Sequence, residues 1–78
     1  MDGYIIINAH GQHLTRMQWW GWFASAWVWS EKQKDYILAH CFAWTFKPTH
    51  IQRARLEHGR VVTEGDPVAI QQNKSPVN

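Results

Sequence analysis

One cysteine, little charge and no long apolar run set the first limits on this chain. The lone Cys41 makes an internal disulfide impossible, so the usual staple of small secreted folds is closed to it. Charged residues are only 18% of the 78 and the net charge is +2, against roughly 25% charged residues in an ordinary soluble domain. That mild excess is far from the dense basic patch of a dedicated nucleic-acid binder, and it speaks against an acidic mimic of DNA. The longest apolar-rich region, Trp19–Trp29, is broken by Gly21 and Ser25, and a membrane-spanning helix needs about 20 apolar residues. No charged-then-apolar leader opens the sequence. With a single thiol, the expectation is a protein of the reducing cytoplasm with no membrane partner.

What the chain has instead is tryptophan. Five of its six tryptophans, Trp19, Trp20, Trp22, Trp27 and Trp29, fall within Gln18–Trp29, QWWGWFASAWVW. A chain of this length is one domain at most and hides only about 60% of its unfolded surface. Without disulfides it must rely on bulky core groups, a metal or a partner chain. The indoles therefore divide between core and contact surface.

Period and punctuation give the elements. Tyr4–Ala9 reads as a strand, with three consecutive β-branched residues, Ile5, Ile6 and Ile7. His10-Gly11 is a turn, and Gln12–Thr15 returns as the second arm; Asn8 and Gly11 are the residues suited to a positive φ there. Arg16–Gly21 reads as a loop. Ser25–Trp29 is expected as a third strand, placing Trp27 and Trp29 on one face and Val28 on the other. Ser30 and Gln33 match a capping box, and Glu31 suits the first turn of a helix. That helix should cover Glu31–Phe42, with Ile37, Leu38, Cys41 and Phe42 inward and Lys32 and Asp35 outward.

Residues 49–59 admit two readings. Thr49 and Gln52 match a second capping box, and Gly59 would then terminate a helix. The stretch Leu56–Val62, LEHGRVV, instead repeats the logic of the first hairpin, and a hairpin of His50–Glu57 with Arg60–Thr63 is preferred. In it Ile51, Arg53 and Arg55 share one face, and Gln52, Ala54 and Leu56 the other. Residues 64–78 carry two prolines and few large apolar groups. They read as a flexible tail beyond a single domain of residues 1–63, anchored by Val68 and Ile70.

Catalytic and metal chemistry find little support. The five histidines form no pattern such as C-x-x-C or H-E-x-x-H, so no metal and no cofactor is expected. Cys41 falls on the inward stripe, where a thiol acts as a small hydrophobe, and His40 beside it faces elsewhere on a helix. The six acids are scattered, with no pair placed for acid–base work. No enzyme activity is expected.

Recognition is what the composition suits. Trp27 and Trp29 are the best core candidates, and Trp44 caps the same core. Trp19, Trp20 and Trp22 surround Gly21 in one short bend, and all three cannot point inward. At least one should be exposed and meet a partner. The candidate contact residues are Trp19, Trp20 and Trp22, supported by Arg16, Arg53 and Arg55. Protein–protein contact is the leading reading. A nucleic-acid module using the same arginines is the alternative, and a homodimer that consumes the tryptophans is the third.

The order of these motifs resembles that of small β-β-β-α-β-β proteins of phages and mobile elements. The matching residues are Tyr4, Ile5, Ile6, Gly11, Leu14, Thr15, Ser30 and Gly59, with Ala39 in the middle of the helix. The resemblance spans about residues 3–63. Such proteins include host-defence inhibitors, among them anti-CRISPR proteins, which act by covering a functional surface of a host complex. The resemblance implies that kind of role here. The expected architecture is α+β: an antiparallel sheet of four to five strands with one amphipathic helix packed on one face.

Overall fold

The structure is a computed structural model that describes residues 2–41 and 44–70. Its centre is the strand β1 (Asp2–Asn8), whose isoleucines face opposite ways, Ile6 to one side and Ile5 and Ile7 to the other. Two short strands follow, β2 (His13–Leu14) and β3 (Trp20–Gly21), then a 3-10 turn at Phe23–Ser25 and the helix α1 (Glu31–His40). A long hairpin, β4 (Pro48–Glu57) and β5 (Arg60–Ala69), completes the chain. The strands pair antiparallel in one sheet of order β3-β2-β1-β4-β5. This is the expected α+β architecture.

Each turn has a local cause. Asn8 is almost fully buried, and its side-chain oxygen accepts from the backbone N–H groups of His10 (2.9 Å) and Gln12 (3.0 Å). This Asx-type geometry closes the first turn, and Gly11 supplies the positive φ of 79°. Asn8 thus serves through its amide rather than through a left-handed backbone. The β2–β3 turn closes through Thr15 and Trp19, with the Thr15 N–H donating to the Trp19 carbonyl at 2.7 Å, and Gln18 takes the left-handed position at φ 62°. At the tip of the long hairpin His58 and Gly59 both have positive φ, 53° and 77°, the primed two-residue turn that matches strand twist. The hairpin reading of residues 49–59 is the right one.

Two apolar layers sandwich the sheet. On the helix side Ile6, Leu14, Trp29 and Ile37 are buried together, with Trp20, Trp27, Trp44 and Ile51 packed around them. On the other side Ile5, Ile7, Ala26, Val28 and Ala54 are buried, with Leu56 and Val61 against them. Each buried large aliphatic or aromatic side chain contributes about 1.5–3 kcal/mol. Helix α1 begins at the Ser30 capping box, with the Gln33 N–H donating to Ser30 Oγ and the Ser30 N–H to Gln33 Oε1, both at 3.1 Å. Lys34 is nearly buried on this helix, its ammonium 4.7 Å from the Tyr4 ring centroid and donating to Asp35 Oδ1 at 2.7 Å. Phe42, expected at the end of the inward stripe, lies outside the described residues.

Two expectations need correction. Ser25–Trp29 is not a continuous strand, and the third strand is Trp20–Gly21. Beyond the 3-10 turn the chain is extended and makes single bridges, Ala26 to Thr15 and Trp29 to Tyr4. It fills the edge of β1 that β2, paired only through Ile7 and His13, leaves open. The alternation nevertheless holds, with Trp27 and Trp29 on the helix side and Ala26 and Val28 on the other. Gly3 permits the close approach, since a Cβ there would stand 2.1 Å from the Trp29 carbonyl oxygen. The second correction concerns the tail. Strand β5 runs to Ala69, so residues 64–69 belong to the sheet. Val68 pairs with Ile51, and the Ile70 N–H donates to the Thr49 carbonyl at 2.9 Å. Gly65, at φ 73°, lets β5 shift register between Glu64 and Val68 and continue past Pro67. Residues 71–78 lie outside the described residues.

Candidate functional site

The turn that joins β2 to β3 sets the site. Its short arms leave the residues at and after the turn little sheet to lie against. Met17, Trp19 and Trp22 are 85%, 73% and 66% exposed, and Phe23 is exposed as well. Four large apolar side chains thus stand in water within seven consecutive residues. Trp20 differs from its neighbours because it pairs with Leu14 and so points to the helix side. Its indole N–H donates to the Phe46 carbonyl at 3.0 Å, and its ring meets Trp44 edge-to-face, centroids 6.1 Å apart.

The segment after the helix supplies the opposite wall. Trp44, Thr45 and Phe46 come up against Gln18, Trp19 and Trp20 to form an open cleft of about 390 Å³. Phe46 is half exposed at its rim, with the His10 ring edge-on to it at 5.6 Å. Trp22 does not line this cleft. Phe23 turns to the other side, where it lines a second hollow with Ala26, Leu56 and Val61 near the tip of the long hairpin.

The arginines go elsewhere. Arg16 stays near the turn, its guanidinium 5.1 Å from the Trp27 ring centroid. Arg53 and Arg55 lie on β4, separated from β2 by the whole of β1. Arg53 sits over the Tyr4 ring and donates to its hydroxyl at 3.4 Å. Arg55 is paired with both Glu57 and Glu64; hydrogen bonds to Glu57 and then Glu64 raise its pKa above the ordinary value. The structure therefore gathers Trp19 and Trp20 into one cleft, leaves Trp22 and Arg16 out of its lining, and places Arg53 and Arg55 on β4 beyond β1.

Gln18, Trp44, Thr45 and Phe46 were not among the residues expected in a contact site. Gln18 belongs to the turn itself, whereas Trp44, Thr45 and Phe46 come from the segment after the helix, tied to the turn by the Trp20–Phe46 hydrogen bond across 26 residues. The sequence signal was the aromatic pair Trp44 and Phe46 flanking a polar residue just after the helix, which reads equally well as core.

The histidines do not converge. Among the described residues no group of three His, Cys, Asp or Glu side chains is placed to hold a metal ion. His40 stacks on Tyr36 and donates through Nδ1 to the Tyr36 carbonyl at 2.8 Å. His13 lies on the side away from the helix, edge-on to Phe23, with Nδ1 buried and unpartnered among the described residues. Burial lowers its pKa from the ordinary 6.5, because a proton there would have to shed its water. The Cys41 thiol is half-buried and points back to the Leu38 carbonyl at 3.5 Å. Among the described residues no helix is long and apolar enough to cross a membrane.

Comparison with known protein families, with curated proteins and with solved structures found no match for this chain.

Proposed function

We propose that this protein is a non-enzymatic binding domain that covers a functional surface of a protein partner. The observation that carries the reading is the run of exposed apolar side chains at the β2–β3 turn, Met17, Trp19, Trp22 and Phe23. Aromatic residues and methionine are enriched where proteins meet, and truncating a central tryptophan is among the costliest changes at such surfaces. The arginine arrangement favours this over nucleic acid. Arg55 is already neutralised by two carboxylates, and Arg53 lies across the sheet from the indoles. Phosphate recognition draws on several free cations close together. An inhibitor that covers a host-defence complex, the role implied by the sequence resemblance, is one form of this proposal.

The test is affinity capture with the wild-type chain and with a Trp19→Ala/Trp22→Ala double variant of unchanged thermal stability. A specific partner retained by the first and lost by the second, with weak dependence on salt, supports the proposal. Binding that falls steeply with salt and survives nuclease-free conditions only identifies nucleic acid instead. A concentration-dependent dimer that the double variant abolishes would assign the same surface to self-association.

A further inference from the structure

The cleft between the β2–β3 turn and the segment after the helix has a chemistry that narrows its occupant. None of its lining side chains, Gln18, Trp19, Trp20, Trp44, Thr45 and Phe46, is charged. The Lys47 ammonium donates to the Trp44 carbonyl at 3.2 Å, so a phosphate or carboxylate entering the cleft would lose water for a single cation already engaged with the backbone, and a cationic side chain would meet no carboxylate in the lining. Hydrogen-bonding side chains there are few: one amide, one hydroxyl and the indole N–H groups. Trp20 already gives its N–H to Phe46. Among the described residues the indole N–H groups of Trp19 and Trp44 have no partner, and neither is buried away from water.

A sugar would stack well on these rings. However, its rim of hydroxyls needs both donors and acceptors, and most would go unmatched. A proline-rich segment has the complementary set: flat apolar rings, backbone carbonyl acceptors and no N–H at each proline. It is also extended as a polyproline II helix before it binds, so little order must be imposed on it. The walls suit such a ring, since Trp20 and Trp44 pack edge-to-face at 81° and the exposed Trp19 and Phe46 line the same open cleft.

We propose that this cleft binds a proline-rich segment of a partner protein in the polyproline II conformation. The inference rests on the protein-binding reading above and specifies the chemistry of the partner. Trp19 and Trp44 supply ring faces and donate to the carbonyls of the segment, and the Trp20–Phe46 hydrogen bond holds the two walls together.

The test is a titration of the full chain with a synthetic decaproline peptide, followed by the indole N–H resonances in a two-dimensional NMR spectrum. The expected result is saturable shifts of the Trp19 and Trp44 indole signals. Trp19→Ala should weaken binding by about tenfold or more, the loss of one strong contact residue. Trp19→Phe, which keeps a ring face but removes the donor, should fall between the two. Tyr36→Ala, on the exposed side of α1, should bind as the wild type does. Absence of indole shifts at millimolar peptide overturns the proposal, as do shifts that Trp19→Ala leaves intact. So does a cello-oligosaccharide that saturates the same indoles where decaproline does not. If decaproline fails while partner capture still depends on Trp19 and Trp22, only this inference falls. If capture is indifferent to both residues, the broader binding reading falls with it.

Discussion

At the scale of single residues, two positions carry consequences that composition alone would not show. Gly3 lies where the extended stretch before the helix crosses β1, and an added Cβ would collide with the backbone of Trp29. Backbone cannot step aside as a long side chain does, so Gly3→Ala must break or displace the mutual hydrogen bonds of Tyr4 and Trp29, both 2.7 Å. A loss of about 1–3 kcal/mol is expected, the usual cost of overpacking, read from chemical denaturation. His13 is the second position. Its pKa is lowered in the fold by burial, so below its unfolded value of about 6.5 the unfolded chain takes up a proton that the folded chain refuses. Its contribution is therefore intact at neutral pH and is lost as pH falls below that point. His13→Phe, which keeps a ring against Phe23, should flatten the stability-against-pH curve between pH 7 and 5 relative to wild type. An unchanged slope would remove His13 from the account. None of this was legible beforehand, because both effects depend on which backbone passes over which residue.

At the scale of elements, the sequence was informative where a local rule decides the outcome. The capping box at Ser30 and Gln33, the His58-Gly59 turn and the two-residue alternation around Val28 all appear as read, since each is settled by groups a few residues apart. Ser30→Ala should accordingly cost about 1 kcal/mol of stability, visible as a lower thermal midpoint with the fold intact. Legibility ended where partners are distant. Residues 64–69 look like a polar tail by composition, yet they pair with β4 across a register shift that Gly65 allows. Pro67 is one of the two prolines that made the segment read as a tail, but at the edge of a sheet its missing N–H need not face a neighbour. The difference has a direct check. A chain ending at Thr63 would lose the partners of His50 and Ile51, and Ile51 packs on the helix-side core. Such a truncation should lower the denaturation midpoint clearly, whereas removal of a true tail would leave it unchanged.

At the scale of the whole molecule, the question is how six indoles are shared between inside and outside. The sheet is only five strands wide and one helix covers it, so the helix-side core takes Trp29 fully and Trp20, Trp27 and Trp44 in part. Trp19 and Trp22 are left in water. The sequence showed that one bend could not turn three tryptophans inward, but not which would turn. The Leu14–Trp20 pairing decides it by sending Trp20 to the helix side, and the same pairing builds the cleft by drawing Phe46 to the Trp20 indole. Single truncations should therefore divide the tryptophans into two groups. Trp29→Ala removes a fully enclosed side chain and should cost about 3–5 kcal/mol, the range for large aromatic residues in cores. Trp19→Ala and Trp22→Ala should each change stability by no more than about 0.5 kcal/mol, as surface substitutions do, while weakening partner capture that the double variant loses. Trp20→Ala is the informative intermediate. It cuts one hydrogen bond and one edge-to-face contact and opens the cleft, so it should lower stability and partner affinity together. A protein in which Trp19→Ala destabilised as much as Trp29→Ala would have its exposed indole held by its own fold, and the surface at the β2–β3 turn would then be structural rather than a place of contact.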